Sequence, residues 1–117
     1  MPDSAILDLT RLREAFGDDD AGIIELLELA LGTGTRHVER LRAALRDGDV
    51  TAVAKAAHGI KGSASNIGAG NVTRISAEIE DRARNARLDG VPELTLALEE
   101  AYEALRTSVR DYRAEAL

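Results

Sequence analysis

Apolar residues recur along most of this chain at alternating steps of four and three, which is the spacing of an α-helix that buries one face. The pattern predicts a short helix at 10–16 and four longer helices at about 19–46, 50–67, 71–88 and 92–115. No segment shows the strict alternation of apolar and polar residues that marks a half-buried strand. The sequence therefore predicts an all-α protein.

Turn and capping residues stand between these predicted helices. Gly48 suits the position just after the second helix, and Asp49 suits the N-cap of the third. Asn71 is expected to cap the fourth helix, while Gly90 and Pro92 separate the fourth helix from the fifth. Four long helices with short connections predict an antiparallel up-down-up-down four-helix bundle, with the short additional N-terminal helix across one end. The whole chain, 1–117, is interpreted as a single domain.

The apolar positions of the helices define the predicted core. In the short first helix, Leu12 and Phe16 are expected to face inward. The stripe of the fourth helix is expected to run from Val72 to Ala86. The second and last helices contribute stripes at Leu27, Leu31, Gly34, Val38, Leu41 and Leu45, and at Leu94, Leu98, Ala101, Leu105, Ser108 and Tyr112.

The third helix, about 50–67, carries a histidine on the side away from its apolar stripe. That stripe consists of Val53, Ala57, Ile60, Ala64 and Ile67. At about 100° per residue, His58 lies about 140° from the centre of the stripe and Gly62 about 180°. Lys61 and Ser65 also lie off the stripe, at about 80° and about 120°. The histidine is therefore expected to face solvent, with Lys61 and Gly62 one turn further along.

Composition and charge exclude several classes of function. The 117 residues include no cysteine, which rules out disulfides and thiolate metal sites. The formal net charge of −6 argues against nucleic acid as a partner. The first residues, MPDSAILDLT, do not resemble a signal peptide, and no segment is apolar over the roughly 18 residues that a membrane span needs. We expect a cytoplasmic protein with no membrane partner.

The surroundings of His58 suggest phosphoryl chemistry. A neutral imidazole is a competent nucleophile near pH 7, because the unperturbed pKa of histidine is about 6.5. The ammonium group of Lys61 could partly neutralise a phosphoryl group on the ring, and Gly62 would let a bulky donor approach. A surface histidine followed by a lysine is also common on helices that have no such function. The small residues around His58, Gly59 among them, favour the functional interpretation because they weaken an otherwise good helix.

The stretch AAHGIKGSASNIGA, residues 56–69, resembles the pattern His-x-x-Lys-Gly-Ser-x-x-x-x-Gly-Ala of a known family. This family comprises the histidine-containing phosphotransfer (Hpt) domains of bacterial multistep phosphorelays. The segment ILDLTRLREAFGDD is similar to the N-terminal lead-in of these domains, and LRAALRDGDV to the turn before their histidine helix. The segment ISAEIEDRAR is similar to the beginning of the helix that follows. The likeness covers nearly the whole chain.

The resemblance implies a phosphorelay carrier that uses His58. The imidazole would accept and donate a phosphoryl group through Nε2, Lys61 would stabilise the phosphoryl charge, and Gly62 would leave room for the partner. Ser63 and Gly68 would shape the helix around the site.

Two further residues of the histidine helix complete the predicted site. Ser65 lies on the side of the helix that carries His58. Gly59 stands where family members usually have a larger residue, so it is expected to loosen the helix beside the histidine.

The resemblance also implies the partners of the carrier. These are the receiver domain of a response regulator, a hybrid histidine kinase, or both. The domain would hold no metal or cofactor of its own, since the receiver supplies the aspartate and the Mg²⁺. The absence of a carboxylate cluster around His58 in the sequence fits this division. Such a carrier forms a covalent phosphohistidine without independent turnover, and we expect it to be a monomer.

Two other interpretations remain open at this point. The chain could be a helical protein-interaction module with a vestigial histidine motif, or the phosphoacceptor domain of a chemotaxis-type histidine kinase. A start at Met1 and an end without a linker favour a free-standing protein over the second of these.

Elsewhere, His37 is expected to be a partly exposed structural histidine. Leu29 points away from its stripe and is a candidate for an apolar docking patch.

Overall fold

A computed structural model describes residues 3–117, and these contain five helices and no strand. The helices are α1 (Thr10–Phe16), α2 (Asp20–Arg46), α3 (Val50–Ile67), α4 (Gly70–Arg84) and α5 (Val91–Ala116). Helices α2 to α5 pack around one core in which α3 touches both α2 and α4, and α5 closes the ring against α4 and α2. The predicted antiparallel up-down-up-down four-helix bundle with a short additional N-terminal helix is confirmed.

The apolar stripes of the long helices form the core. All five stripe residues of α3 are buried, and α2 and α5 bury or half-bury every position of their predicted stripes. With only three aromatic residues in the chain, this core is mostly aliphatic. Close helix contact follows from the small side chains that α3 turns inward, namely Ala56, Ala57 and Ala64.

The helix that carries His58 is fixed at both ends by local hydrogen bonds. At its start, the Asp49 carboxylate accepts from the backbone N–H of Ala52 at 3.0 Å, so Asp49 is the predicted N-cap. At its end, Gly68 adopts a left-handed conformation with φ of 79°. A side chain at Gly68 would also collide with the backbone carbonyl of Asp8, so this position requires glycine for two reasons.

Residues 3–9 and α1 cover the end of the bundle where α3 meets α4. Leu7 and Leu12 are buried there, and the N–H of Asp8 donates to the carbonyl of Gly68 at 2.9 Å. The expectation for Phe16 was wrong, because this side chain is exposed at the last position of α1. Leu7, which precedes the helix, is part of the core.

Helix α4 differs from its prediction at the start. Asn71 does not cap this helix, since the N-cap residue is Ala69 and makes no side-chain cap. Asn71 lies within the first turn, and its backbone N–H donates to the carbonyl of Ala5 at 2.8 Å. The N-terminal segment thus satisfies a helix N–H group that a capping side chain would otherwise accept from.

Helix α4 also ends at Arg84, earlier than the predicted residue 88. The N–H of Arg87 donates to the carbonyl of Arg82 at 2.9 Å, and that of Ala86 to the carbonyl of Ala83 at 3.0 Å. These two bonds form a Schellman motif, with Ala86 in the left-handed region at φ of 57°. The expectation that Ala86 extends the apolar stripe was therefore wrong, since it is exposed beyond the helix end.

The described residues, 3–117, include no helix that is both long and apolar enough to cross a membrane.

Candidate functional site

The ring of His58 projects into solvent from the middle of α3. Its side chain is 62% exposed, while Ala57 and Ile60 on the opposite side of the same helix are completely buried. The buried stripe therefore fixes the direction of the imidazole, as the helical wheel predicted.

The residues one turn beyond His58 differ in their surroundings. A Cβ atom added at Gly62 would meet no atom within 4 Å, so the surface at this position is open. Lys61 is half-buried, and Ser65 is exposed on the same helix. The hydroxyl of Ser63 donates weakly to the carbonyl of Ile60 at 3.4 Å. The structure thus gives His58 an unobstructed neighbour at Gly62 and a less accessible one at Lys61.

Gly59 and Gly68 have packing roles that the sequence did not indicate. A Cβ atom at Gly59 would lie 2.9 Å from Cε1 of His37, so this glycine lets the ring of His37 rest against α3. His37 is partly exposed, as predicted, and burial together with the nearby Arg40 and Arg36 lowers its pKa. Gly68 lies ten positions after His58, at the end of α3 against the N-terminal segment. It therefore shapes the end of the helix and lies about 15 Å along the axis from the histidine.

A buried carboxylate that sequence reasoning missed contacts His58. Glu80 on α4 has a side chain only 5% exposed. Its Oε2 lies 2.8 Å from Nδ1 of His58, and its Oε1 lies 2.6 Å from Nζ of Lys61. Arg84, one turn further along α4, donates to Oε2 through Nη2 at 2.7 Å and Nε at 3.0 Å. Glu80 therefore joins the histidine to two cationic side chains.

These contacts keep Glu80 ionised. Burial alone would raise the pKa of its carboxyl group. Hydrogen bonds from Lys61, Arg84 and His58 outweigh burial and lower this pKa to about 2. An ionised carboxylate can only accept hydrogen bonds. The short contact with His58 thus requires a proton on Nδ1, so in the neutral imidazole the free lone pair is on Nε2.

A sequence model of the Hpt (histidine-containing phosphotransfer) domain family matches residues 25–108, which is more than half of the chain. The chain belongs to the Hpt domain family. Its role is that of a phosphorelay carrier in multistep two-component signalling. This result confirms the family resemblance and favours the carrier over a helical interaction module without phosphoryl transfer.

Two solved structures are similar to this Hpt domain over nearly its whole length. The crystal structure of histidine-containing phosphotransfer protein B from Pseudomonas aeruginosa PAO1 has a TM-score of 0.85 at 29% identity, covering 94% of this chain and 96% of that one. The HPT domain of a sensor hybrid histidine kinase from Shewanella has a TM-score of 0.77 at 18% identity, covering 97% of each chain. A comparison with curated protein sequences gives no match.

Two shallow grooves flank the histidine of this Hpt domain. One, of about 430 Å³, lies between α3 and α4 and includes Thr51, Ala54 and Arg84 in its lining. The other, of about 560 Å³, lies between α2 and α3 and includes His37 and Arg40. Both grooves are also lined by His58 itself and by Lys55.

The charge around these grooves is opposite to that of the whole molecule. Arg40, Lys55, Lys61 and Arg84 surround His58, and the acidic residue in contact with the ring, Glu80, is buried. The chain as a whole has a formal net charge of −6. The site is therefore a basic patch on an acidic protein, which favours an approaching group that carries negative charge.

Within residues 3–117, no three His, Cys, Asp or Glu side chains are grouped so that they could hold a metal ion.

Proposed function

We propose that this Hpt domain carries the phosphoryl group on Nε2 of His58. It accepts the group from a phospho-aspartyl receiver domain or a histidine kinase, and passes it to another receiver domain. The observation that carries the proposal is the contact between Nδ1 of His58 and the ionised Glu80, on a ring whose side chain is 62% exposed. This arrangement holds the imidazole in the tautomer in which Nε2 is the nucleophile.

The proposed transfer forms one bond to phosphorus and breaks another, and the imidazole does not need to lose a proton. The lone pair of Nε2 attacks phosphorus while the bond from phosphorus to the aspartyl oxygen breaks, and the donor leaves as a carboxylate. The proton on Nδ1 stays in place, so the ring becomes a positively charged phosphoimidazolium. Glu80 lies 2.8 Å from that proton and compensates the new charge. Transfer to the next aspartate reverses these steps, and the ring leaves as a neutral imidazole.

Lys61 and Gly62 have separate proposed roles in this transfer. The ammonium group of Lys61, whose side chain is 35% exposed, would turn outward to neutralise the phosphoryl oxygens. Gly62, one turn from the ring, would let the loops of the receiver come close to His58. Ser65 would lie at the edge of the contact, since it is exposed on the same helix.

The remaining predicted site residues have supporting roles in the proposal. Gly59 would hold α3 against His37, and Gly68 would fix the end of the histidine helix. Ser63 is half-buried behind the exposed face and would support α3 from within.

The proposed partners are a receiver domain and a hybrid histidine kinase. A receiver with an acidic phosphorylation site would meet the basic patch around His58, and it would supply the Mg²⁺ that transfer needs. The Hpt domain itself would turn over no substrate without these partners. We propose that it works as a monomer in the cytoplasm, because a carrier must share a compartment with the proteins that load and unload it.

Phosphoryl transfer from a labelled receiver tests this function. The protein is incubated with a phosphorylated receiver domain and Mg²⁺, and the label is followed by gel electrophoresis. We expect an acid-labile, base-stable phosphohistidine in the wild-type protein and none in His58→Gln. His37→Gln is the matched control, since it removes the other histidine of the chain and should still take up label. Failure of every receiver and kinase from the same genome to label the folded protein would refute the proposal.

A further inference from the structure

The two oxygens of Glu80 are divided between different partners. Oε1 accepts from Lys61 at 2.6 Å. Oε2 accepts from His58 at 2.8 Å and from two nitrogens of Arg84 at 2.7 and 3.0 Å. The carboxylate therefore has two cationic partners, one on each oxygen.

This arrangement is important because Lys61 would need to contact two different groups at different stages. In the unphosphorylated protein its ammonium group is paired with Glu80, whereas the proposed function requires it at the phosphoryl group on His58. A buried carboxylate that loses its cation is strongly destabilised unless another cation stays with it. Lys61 can leave at low cost only if a second cation remains on Glu80.

Arg84 is placed to be that second cation. It follows Glu80 by one turn of the same helix, and its side chain is 63% exposed, so it can hold the carboxylate from the solvent side. Two guanidinium nitrogens on one oxygen give it a firmer hold than a single bond would. It shares that oxygen with His58, so it also keeps Oε2 against Nδ1.

We propose that Arg84 is a positioning residue for phosphoryl transfer, which holds Glu80 on Nδ1 of His58 while Lys61 moves from Glu80 to the phosphoryl group. This inference rests on the proposed function of His58. When the bond from Nε2 to phosphorus forms, the Glu80 carboxylate and the phosphoryl group both attract the ammonium group of Lys61. Arg84 remains paired with Glu80, so Lys61 can pair with the phosphoryl group. Without Arg84, Lys61 stays on the buried carboxylate and the phosphoryl group loses its cation.

A double-mutant cycle separates this role from direct contact between Arg84 and the phosphoryl group. Glu80→Gln keeps an oxygen that accepts from Nδ1–H but removes the charge that needs a cation. The rate of transfer from a phosphorylated receiver is measured for wild type, Arg84→Gln, Glu80→Gln and the double variant. Arg74→Gln, which removes an exposed arginine from the same helix, is the matched control for the loss of one positive charge.

We expect Arg84→Gln to slow transfer about tenfold in the wild-type background, as the loss of one hydrogen bond to a charged group would. In the Glu80→Gln background the same change should alter the rate less than about twofold. Arg84→Lys should restore most of the rate, and Arg74→Gln should leave it unchanged. An equal loss in both backgrounds, or no loss in either, would overturn the proposal.

A second measurement follows Lys61 directly. The chain has two lysines, Lys55 and Lys61, so ¹⁵N labelling of lysine gives two side-chain signals, and Lys55 is the internal reference. With phosphoramidate as the phosphoryl donor, the Lys61 signal should shift on phosphorylation in the wild type and stay in place in Arg84→Gln. A shift of equal size in both proteins would contradict the exchange. If the wild-type protein takes no label on His58 from receiver or phosphoramidate, the proposed function itself fails, which is a separate outcome.

Discussion

Nδ1 of His58 lies 2.8 Å from Oε2 of Glu80, although the two residues are 22 positions apart and belong to different helices. The contact turns an exposed imidazole into one with a defined tautomer, because the carboxylate is ionised and can only accept the proton of Nδ1. It also places a negative charge beside the ring at the moment when phosphorylation would make the ring positive.

The ionised state of Glu80 gives the fold a specific dependence on pH. Its pKa is lowered to about 2 from a usual value of 4.5, so its stabilising contribution is present above pH 4.5 and is lost as the pH falls toward about 2. The free energy of unfolding of the wild type should therefore fall more steeply than that of Glu80→Gln over this range. Denaturant titrations at a series of pH values measure the difference. Parallel curves for the two proteins would count against it, and Glu78→Gln, an exposed change on the same helix, should follow the wild type.

A large side chain at position 62 should slow phosphoryl transfer without lowering the stability of the protein. The position is helical and open, so Gly62→Leu should preserve the free energy of unfolding or raise it by up to about 1 kcal/mol. The added side chain stands one turn from His58, so phosphoryl transfer should fall by at least tenfold, as roughly 1.4 kcal/mol of steric cost would require. Gly32→Leu, on an equally open position of α2, is the control and should transfer normally. Unimpaired transfer by Gly62→Leu would remove the steric role of this glycine.

Substitution of Gly59 by a larger residue should affect stability differently from substitution of Gly62, because the ring of His37 lies against Gly59. Gly59→Ala would place a methyl group 2.9 Å from Cε1 of His37. It should therefore miss the gain of about 1 kcal/mol that alanine ordinarily gives over glycine inside a helix. In a His37→Ala background the gain should return, which chemical denaturation of the four proteins would measure. The same gain in both backgrounds would mean that the ring of His37 does not constrain α3.

The end of α4 offers a test that is independent of the active residue. Ala86 has a φ of 57°, a conformation that costs an L-residue roughly 1–2 kcal/mol and glycine very little. We expect Ala86→Gly to stabilise the protein by about 0.5–1 kcal/mol, after allowance for the greater freedom of glycine in the unfolded chain. Ala77→Gly, inside the same helix, should destabilise it by about 1 kcal/mol. Equal losses for the two variants would show that the helix does not end where the structure places it.

Most of the fold could be predicted from the sequence because it depends on local patterns. The four-and-three spacing located α2, α3 and α5 almost to the residue, and the cap at Asp49 follows from side-chain chemistry next to the helix. The errors arose where tertiary contacts replaced local rules. The carbonyl of Ala5 accepts from the N–H of Asn71, and the core includes Leu7 while Phe16 is exposed.

In the site, too, local patterns predicted some features, and contacts between helices determine the others. The exposure of His58 and the open surface at Gly62 follow from the helical wheel, because the stripe on the opposite side must be buried. The contact of Glu80 with the site could not be found in this way, since Lys61 and His58 lie on a different helix, 19 and 22 positions earlier in the chain than Glu80. The available signal was a carboxylate next to the apolar stripe of α4, because acidic residues are rarely buried without a cationic partner. That signal identifies an unusual residue without naming the histidine it contacts.

Nitrogen-15 NMR of the His58 ring shows which of its nitrogens carries the proton and which receives the phosphoryl group. In the unphosphorylated protein, the neutral ring should carry its proton on Nδ1 and have a free lone pair on Nε2; after phosphorylation, phosphorus should be coupled to Nε2 while Nδ1 keeps its proton. The signals of His37, the other histidine, can be identified with His37→Gln. A ring that carries its proton on Nε2, or a phosphoryl group bound to Nδ1, would contradict the account.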